Sequence, residues 1–155
     1  MISMNNKKTV IFDLDGTLAN VDARRKISIK QDGKMNWNKW FDPSNIKLDI
    51  PNEQVIKMAQ LLAEDGFNIF IFSGRSDKTL NATRSWLTRN RVPFHKLVMR
   101  DQERFFMPDD QLKKQFLDEH ADIDDIFLVF DDRQKVVDMW RKNGLIVFQV
   151  AKGDF

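Results

Sequence analysis

Two aspartates, Asp13 and Asp15, stand either side of Leu14 where the apolar run Thr9–Phe12 ends in "TVIFDLDGTLAN". Side chains two apart on an extended chain point the same way, so both carboxylates can face one site. Gly16 then permits a tight departure, and Thr17 adds a hydroxyl. The oddity repeats late in the chain, where the run Ile126–Phe130 passes directly into Asp131 and Asp132. Like charges this close repel, and burial strengthens the repulsion. Four carboxylates around one small volume need a counter-charge. A hard divalent cation supplies it: Mg²⁺ favours carboxylate, carbonyl and water oxygens, and keeps positions open for a phosphate oxygen.

Cationic groups near such a site would serve an anion. Ser73, Gly74 and Arg75 follow a third apolar run, and the backbone N–H groups of this "SGR" turn before a helix suit a phosphate. A lysine from the helix after Pro108 can complete the charge balance. A carboxylate facing an electrophilic phosphorus can attack it, giving an aspartyl-phosphate. A second can protonate the leaving oxygen and later deprotonate water. Plainer readings exist for each group. Asp109 and Lys113, four apart, have the spacing of an ordinary surface ion pair. Arg24 in "DARRK" reads as one more solvated cation, and His95 and His120 have no metal-ligand spacing. The conjunction of motifs carries the argument.

The elements that must position these residues alternate. Buried-strand patterns fall at Thr9–Phe12, Asn68–Phe72, Lys96–Met99, Ile126–Phe130 and Ile146–Val150. Helical periods lie between them. One opens at Pro51 and stops at Gly66; the next is capped by Ser76 or Asp77. A third follows Pro108, and the last carries Val136 and Trp140 inward and ends at Gly144. This pattern predicts an α/β, Rossmann-like five-stranded parallel sheet with helices on both faces. Ligands in such sheets sit beyond the carboxyl ends of the strands, where the acids lie. The polar stretch from about 21 to 49 lacks a period and reads as a small, partly helical insertion over one end of the sheet. Its Trp37, Trp40 and Phe41 either anchor the insertion or stack on a ligand's base.

With 155 residues the chain is expected to form one domain. It has no cysteine, which excludes disulfides, thiolate metal sites and cysteine nucleophiles. No apolar stretch is long enough to cross a bilayer, and "MISMNNKK" lacks a signal-peptide core, so the cytoplasm, or the interior of a host cell, is the expected setting. The net charge of +2 is compatible with a phosphate-bearing partner without demanding one.

Together, "DLDGT", "FSGR", the lysine after Pro108 and "DDR" resemble the four motifs of the haloacid dehalogenase-like (HAD-type) phosphohydrolases, in order and across nearly the whole chain. The resemblance implies Asp13 as nucleophile, Asp15 as general acid/base with its backbone carbonyl on Mg²⁺, Ser73 and a lysine on the phosphoryl group, and Asp131 or Asp132 on the metal. A closer similarity links "LVMR", "PDDQLKKQF" and "VFDDRQKVVDMWRKNGLIVFQVAKGDF" to the 3′-phosphatase domain of phage-type polynucleotide kinase-phosphatases. Carried over by residue, that similarity adds Arg24, Arg75, Asp109 and Lys113 to the site. The "GxxxxGK[ST]" loop of a kinase half is absent, and the six glycines never take its spacing.

The expected activity is therefore Mg²⁺-dependent removal of 3′-phosphates from nucleic-acid ends. A nucleotidase acting on mononucleotides is the enzymatic rival, and a separate kinase or ligase partner is left open. A receiver-like phosphoacceptor module is the non-enzymatic rival. Such modules place the paired acids after the first strand, whereas here "DxDGT" comes first and the adjacent pair late.

Overall fold

The computed structural model describes residues 6–153. Strand β1 (Thr9–Phe12) is buried at every position and forms the centre of a five-stranded sheet. Strands β4 (Asn68–Ser76) and β6 (Ile126–Asp131) flank it in parallel, and β5 (Lys96–Arg100) and β7 (Val147–Gln149) form the edges. The spatial order is β5-β4-β1-β6-β7.

Alternation along β1 divides the core. Val10 and Phe12 face one layer with Ile69, Ile71, Leu128 and Phe130. Helices α3 (Glu53–Glu64) and α4 (Leu80–Arg89) close that layer with Ile56, Ala59, Trp86 and Leu87. Ile11 points to the other face with Phe72 and Val129, under Leu112 and Phe116 of α5 (Asp109–His120) and Val136, Val137 and Trp140 of α6 (Gln134–Lys142). Each face supplies an apolar layer against helices, which is what parallel strands require. Phe12 and Phe130 stack across the β1–β6 pair at 4.5 Å, fixing the register that brings the two acidic strand ends side by side.

The insertion contains α1 (Asp22–Ser28), α2 (Trp37–Trp40) and a 3₁₀ segment, Pro43–Leu48. An antiparallel ribbon closes its neck, with β2 (Ala19–Asn20) paired to β3 (Ile50–Pro51). Pro51 therefore belongs to a strand, and the following helix starts only at Glu53. Proline's fixed φ serves an extended edge as well as a helix start. Asn52 decides between them, because its N–H donates to the Leu18 carbonyl and its side-chain amide to that of Thr17.

A second difference concerns "SGR". It is the irregular end of β4 rather than a turn leading into a helix, with the register slipping between Phe72 and Ser76. A 3₁₀ turn over Asp77–Thr79 separates it from α4. Asp154 and Phe155 of the "GDF" tail lie outside the described residues, as does Met1–Asn5. Among the described residues no helix is long and apolar enough to cross a membrane.

Candidate active site

Strands β1 and β6 end together, and their acids meet there. Asp13, Asp131 and Asp132 are buried and each offers a carboxylate oxygen within 4.8 Å of the others. Burial and then repulsion from Asp131 push the Asp13 carboxyl well above the usual carboxylate range. Burial likewise raises Asp132. Lys113 reaches in from α5, donating to Asp13 Oδ1 at 2.6 Å and Asp131 Oδ2 at 3.1 Å. Burial alone would lower its ammonium pKa; Asp13 and Asp131 together outweigh burial and push it up, so it stays charged. Three carboxylates against one ammonium leave an unbalanced negative charge. An all-oxygen donor set with surplus negative charge fits a hard divalent cation such as Mg²⁺.

The backbone around this trio admits little variation. Gly16 adopts φ +85°, and a Cβ there would collide with the Asp132 carboxylate. Thr17 is fully buried, and its Oγ1 donates to Asp13 Oδ2 at 2.9 Å, so it orients Asp13 from behind. Asp131 is held on both oxygens. Oδ2 also accepts from Trp140 Nε1, and Oδ1 from the Asp132 and Arg133 backbone N–H groups. Gly153, the last described residue, braces the same place. The Gly153 carbonyl accepts from the Gln134 N–H at 2.7 Å, and Gly153 packs against the Asp132 and Arg133 backbone with no room for a Cβ.

Asp15 takes a different course. Its carboxylate turns to two arginines, 3.0 Å from Arg24 Nη2 and 2.7 Å from Arg75 Nε. Burial alone would raise its pKa; Arg75 and then Arg24 outweigh that and hold it down at about 2. Its side chain is not one of the converging trio. Asp49 completes a ring on the far side, taking Arg24 Nε at 2.9 Å and Arg75 Nη2 at 2.6 Å. Arg24 also donates to the Trp40 carbonyl and lies 4.1 Å from the centre of the Trp40 ring. Arg75 donates to Thr83 Oγ1, and the Arg75 N–H to Ser73 Oγ. The two carried-over arginines thus sit fully buried, fastening the insertion to β4 and fixing Asp15.

A third cluster closes the other side. Asp109 opens α5, with Oδ1 at 2.5 Å from Arg100 Nη2 and Oδ2 at 2.6 Å from Arg133 Nη1. The surface pair suggested by the four-residue spacing is not what forms: Lys113 turns inward to the acids, and Asp109 turns to the arginines. Gly74 faces Asp109, and a Cβ there would lie 2.8 Å from its Oδ1. Because two guanidiniums hold that carboxylate, it cannot step aside freely. Gly74→Ala is expected to cut kcat/KM by about 10-fold, the equivalent of ~1.4 kcal/mol, with a smaller change in melting temperature. Steady-state kinetics beside a thermal melt checks this.

Asp13, Asp15, Gly74, Asp109, Lys113, Asp131 and Asp132 line one cavity of about 610 Å³. Thr17, Ser73, Arg24 and Arg75 stand behind its wall. Four further residues of the site are Asp49, Arg100, Arg133 and Trp140. Arg100 ends "LVMR" and Arg133 ends "DDR", so the strand-end rule reaches both. Trp140 was legible only as a core residue, and nothing in its flanking sequence marks Asp49.

A parallel sheet in this strand order, with acids at its carboxyl edge and a buried lysine between them, defines a haloacid dehalogenase-like phosphohydrolase, an enzyme that hydrolyses phosphoric monoesters. Residues 7–155 match the family described as polynucleotide kinase PNKP phosphatase domain, and the chain belongs to that family. Among solved structures, the Pnkp1/Rnl/Hen1 complex is similar at 28% identity and a TM-score of 0.78, covering 98% of this chain and 48% of that one. The Pnkp1/Rnl/Hen1 RNA repair complex gives 30% identity and 0.79, covering 98% and 45%. This chain therefore spans about half the length of those relatives. A HAD family enzyme from Bacteroides thetaiotaomicron, in complex with magnesium and inorganic phosphate, shares the fold at 16% identity and 0.58, covering 96% of each chain.

Proposed function

We propose that this phosphohydrolase removes the 3′-phosphate from nucleic-acid ends, with Asp13 as nucleophile, Asp15 as general acid/base and Mg²⁺ as cofactor. The observation that carries the reading is the buried trio of Asp13, Asp131 and Asp132 with Lys113 between them, opening onto a cavity of nucleotide size. Membership of the PNKP phosphatase family supports the polynucleotide substrate, and similarity to an RNA repair complex supports a role in end repair.

Asp13, aimed by Thr17 and Lys113, attacks phosphorus; the Oδ–P bond forms as the P–O3′ bond breaks. Asp15 delivers a proton to the departing 3′ oxygen. It then takes one from the water that attacks the aspartyl-phosphate, releasing inorganic phosphate and restoring Asp13. Held by Asp13, Asp131 and Asp132, Mg²⁺ would supply positive charge against the phosphoryl oxygens. Lys113 contributes the same charge from the protein. Lys113 favours the carboxylate form of Asp13, and a phosphate dianion bound beside Asp15 would raise its pKa and favour its acid form. Arg24 and Arg75 hold Asp15 in place for both proton transfers.

The test is phosphate release from a 3′-phosphorylated oligonucleotide and from nucleoside monophosphates, each with Mg²⁺ or with EDTA. Release from the oligonucleotide is expected to dominate, to vanish in EDTA and to return with added Mg²⁺. Activity confined to mononucleotides would establish a nucleotidase instead, and undiminished release in EDTA would remove the metal from the reaction.

A further inference from the structure

We infer that Trp37 and Phe106 form a stacking site for the nucleobase of the 3′-terminal nucleotide, a role that rests on the phosphatase reading above. Both rings line the same cavity as Asp13 and Lys113. Phe106 is 92% exposed and Trp37 51% exposed, although each has close aromatic neighbours. Large rings left open at the mouth of a charged cavity contribute little to the core, and their exposure needs another account.

The rings come from two separate segments, and both are held. Trp37 begins α2, where the Asn36 side chain caps the helix by accepting from the Lys39 N–H. Its ring stacks on Phe41 at 5.7 Å, and Phe105 meets both edge-on. Phe106 leans edge-on against Phe105 at 5.0 Å. The loop that carries Phe106 is gathered around a single guanidinium: Arg100 Nη1 donates to the carbonyls of Arg104, Phe105 and Met107 at 2.7, 3.2 and 2.7 Å. Arg100 also holds Asp109. One side chain therefore ties the presentation of Phe106 to the site beside the phosphate.

The occupant follows from continuity and size. The cavity's volume lies within the range of small-ligand pockets and far exceeds what one phosphate fills. A group attached to that phosphate must occupy the rest, and the walls there are aromatic. Every nucleobase has a π-face, so rings placed this way hold the last base without reading its identity.

Phe106→Ala and Trp37→Ala test this on two oligonucleotides, one ending in an ordinary 3′-phosphorylated nucleotide and one in a 3′-phosphorylated abasic sugar, both with Mg²⁺. Wild type is expected to favour the base-bearing end by about 10-fold or more. Phe106→Ala is expected to raise KM for that end by about 10-fold with kcat within twofold, and to leave the abasic end unaffected. Phe106→Trp restores the wild-type KM. Because Phe106 is almost fully solvated, its replacement leaves the fold intact even if Trp37→Ala loosens the insertion. Equal losses on both substrates, or no loss on either, would overturn the stacking site while leaving the phosphatase reading in force. If wild type released phosphate from neither, that reading would fall and the stacking site with it.

Discussion

Asp13→Asn is expected to lower phosphate release by about 10⁴-fold or more, on the scale of other lost nucleophiles, while the melting temperature of the metal-free protein holds or rises. The two readouts move apart for one physical reason. Asp13 is a buried carboxylate beside Asp131, and its raised pKa marks an ionised form that the fold accommodates at a cost. Asparagine keeps the shape and removes the charge. Its oxygen can still accept from Lys113, and its amide can donate to the Thr17 hydroxyl, which accepts as readily as it donates. Packing survives, and the carboxylate proposed to attack does not. If the trio holds Mg²⁺ as proposed, the variant is also expected to lose most of the thermal stabilisation on adding Mg²⁺ that wild type shows, because the trio becomes a pair. Melts with and without Mg²⁺, run beside a phosphate-release assay, check all three points. Turnover within a factor of ten of wild type would take the nucleophile's role away from Asp13.

Asp49→Leu is expected to destabilise the fold by about 3–5 kcal/mol, the range for breaking a buried ion pair from one side. At this chain length that corresponds to a fall of roughly 10 °C in melting temperature. The magnitude comes from what remains. Asp49 takes a hydrogen bond from both Arg24 and Arg75, each fully buried. Without it, the two guanidiniums share Asp15 as their one carboxylate, and the buried N–H groups that bond Asp49 lose that partner. Burial raises the Asp49 pKa despite both arginines, so the carboxylate itself is costly to keep. Its worth lies in the partners it satisfies. Asp49→Asn is expected to be milder, since its amide oxygen serves one arginine while its NH₂ opposes the other. The loss should also reach activity, because Asp15 depends on the same arginines. Urea unfolding of both variants measures the effect, and a loss below about 1 kcal/mol for the leucine variant would mean the ring contributes little to stability.

The acidic strand ends were legible because they break a simple rule: an apolar run that must be buried does not ordinarily finish in adjacent charges. Asp13, Asp131 and Asp132 all carry that signature, and the sheet then has only one place to put them. The five strands were legible for the related reason that short β-branched and aromatic runs separated by helical periods admit few topologies. Direction was harder to read. Arg24 and Arg75 could be placed near the site, but an arginine reaches several acids, and only the packed structure shows that Asp15 and Asp49 share both. Asp49 itself follows a stretch without period, so no local feature separates it from a solvated aspartate. Pro51 shows the same limit at short range: its fixed φ suits two kinds of element, and Asn52's bonds to residues far earlier in the chain decide which one forms.

The acidic site draws on distant parts of the polypeptide. Lys113 lies 100 positions beyond the aspartate it touches, and Gly153 presses on the backbone of Asp132 and Arg133 just after β6. A ribosome making this protein delivers the groups one at a time, beginning with Asp13 and finishing with the brace. Until Lys113 and Asp131 have emerged, the nascent polypeptide holds Asp13 without the groups it meets in the folded protein. The trio therefore cannot assemble on the ribosome until β6 has been made.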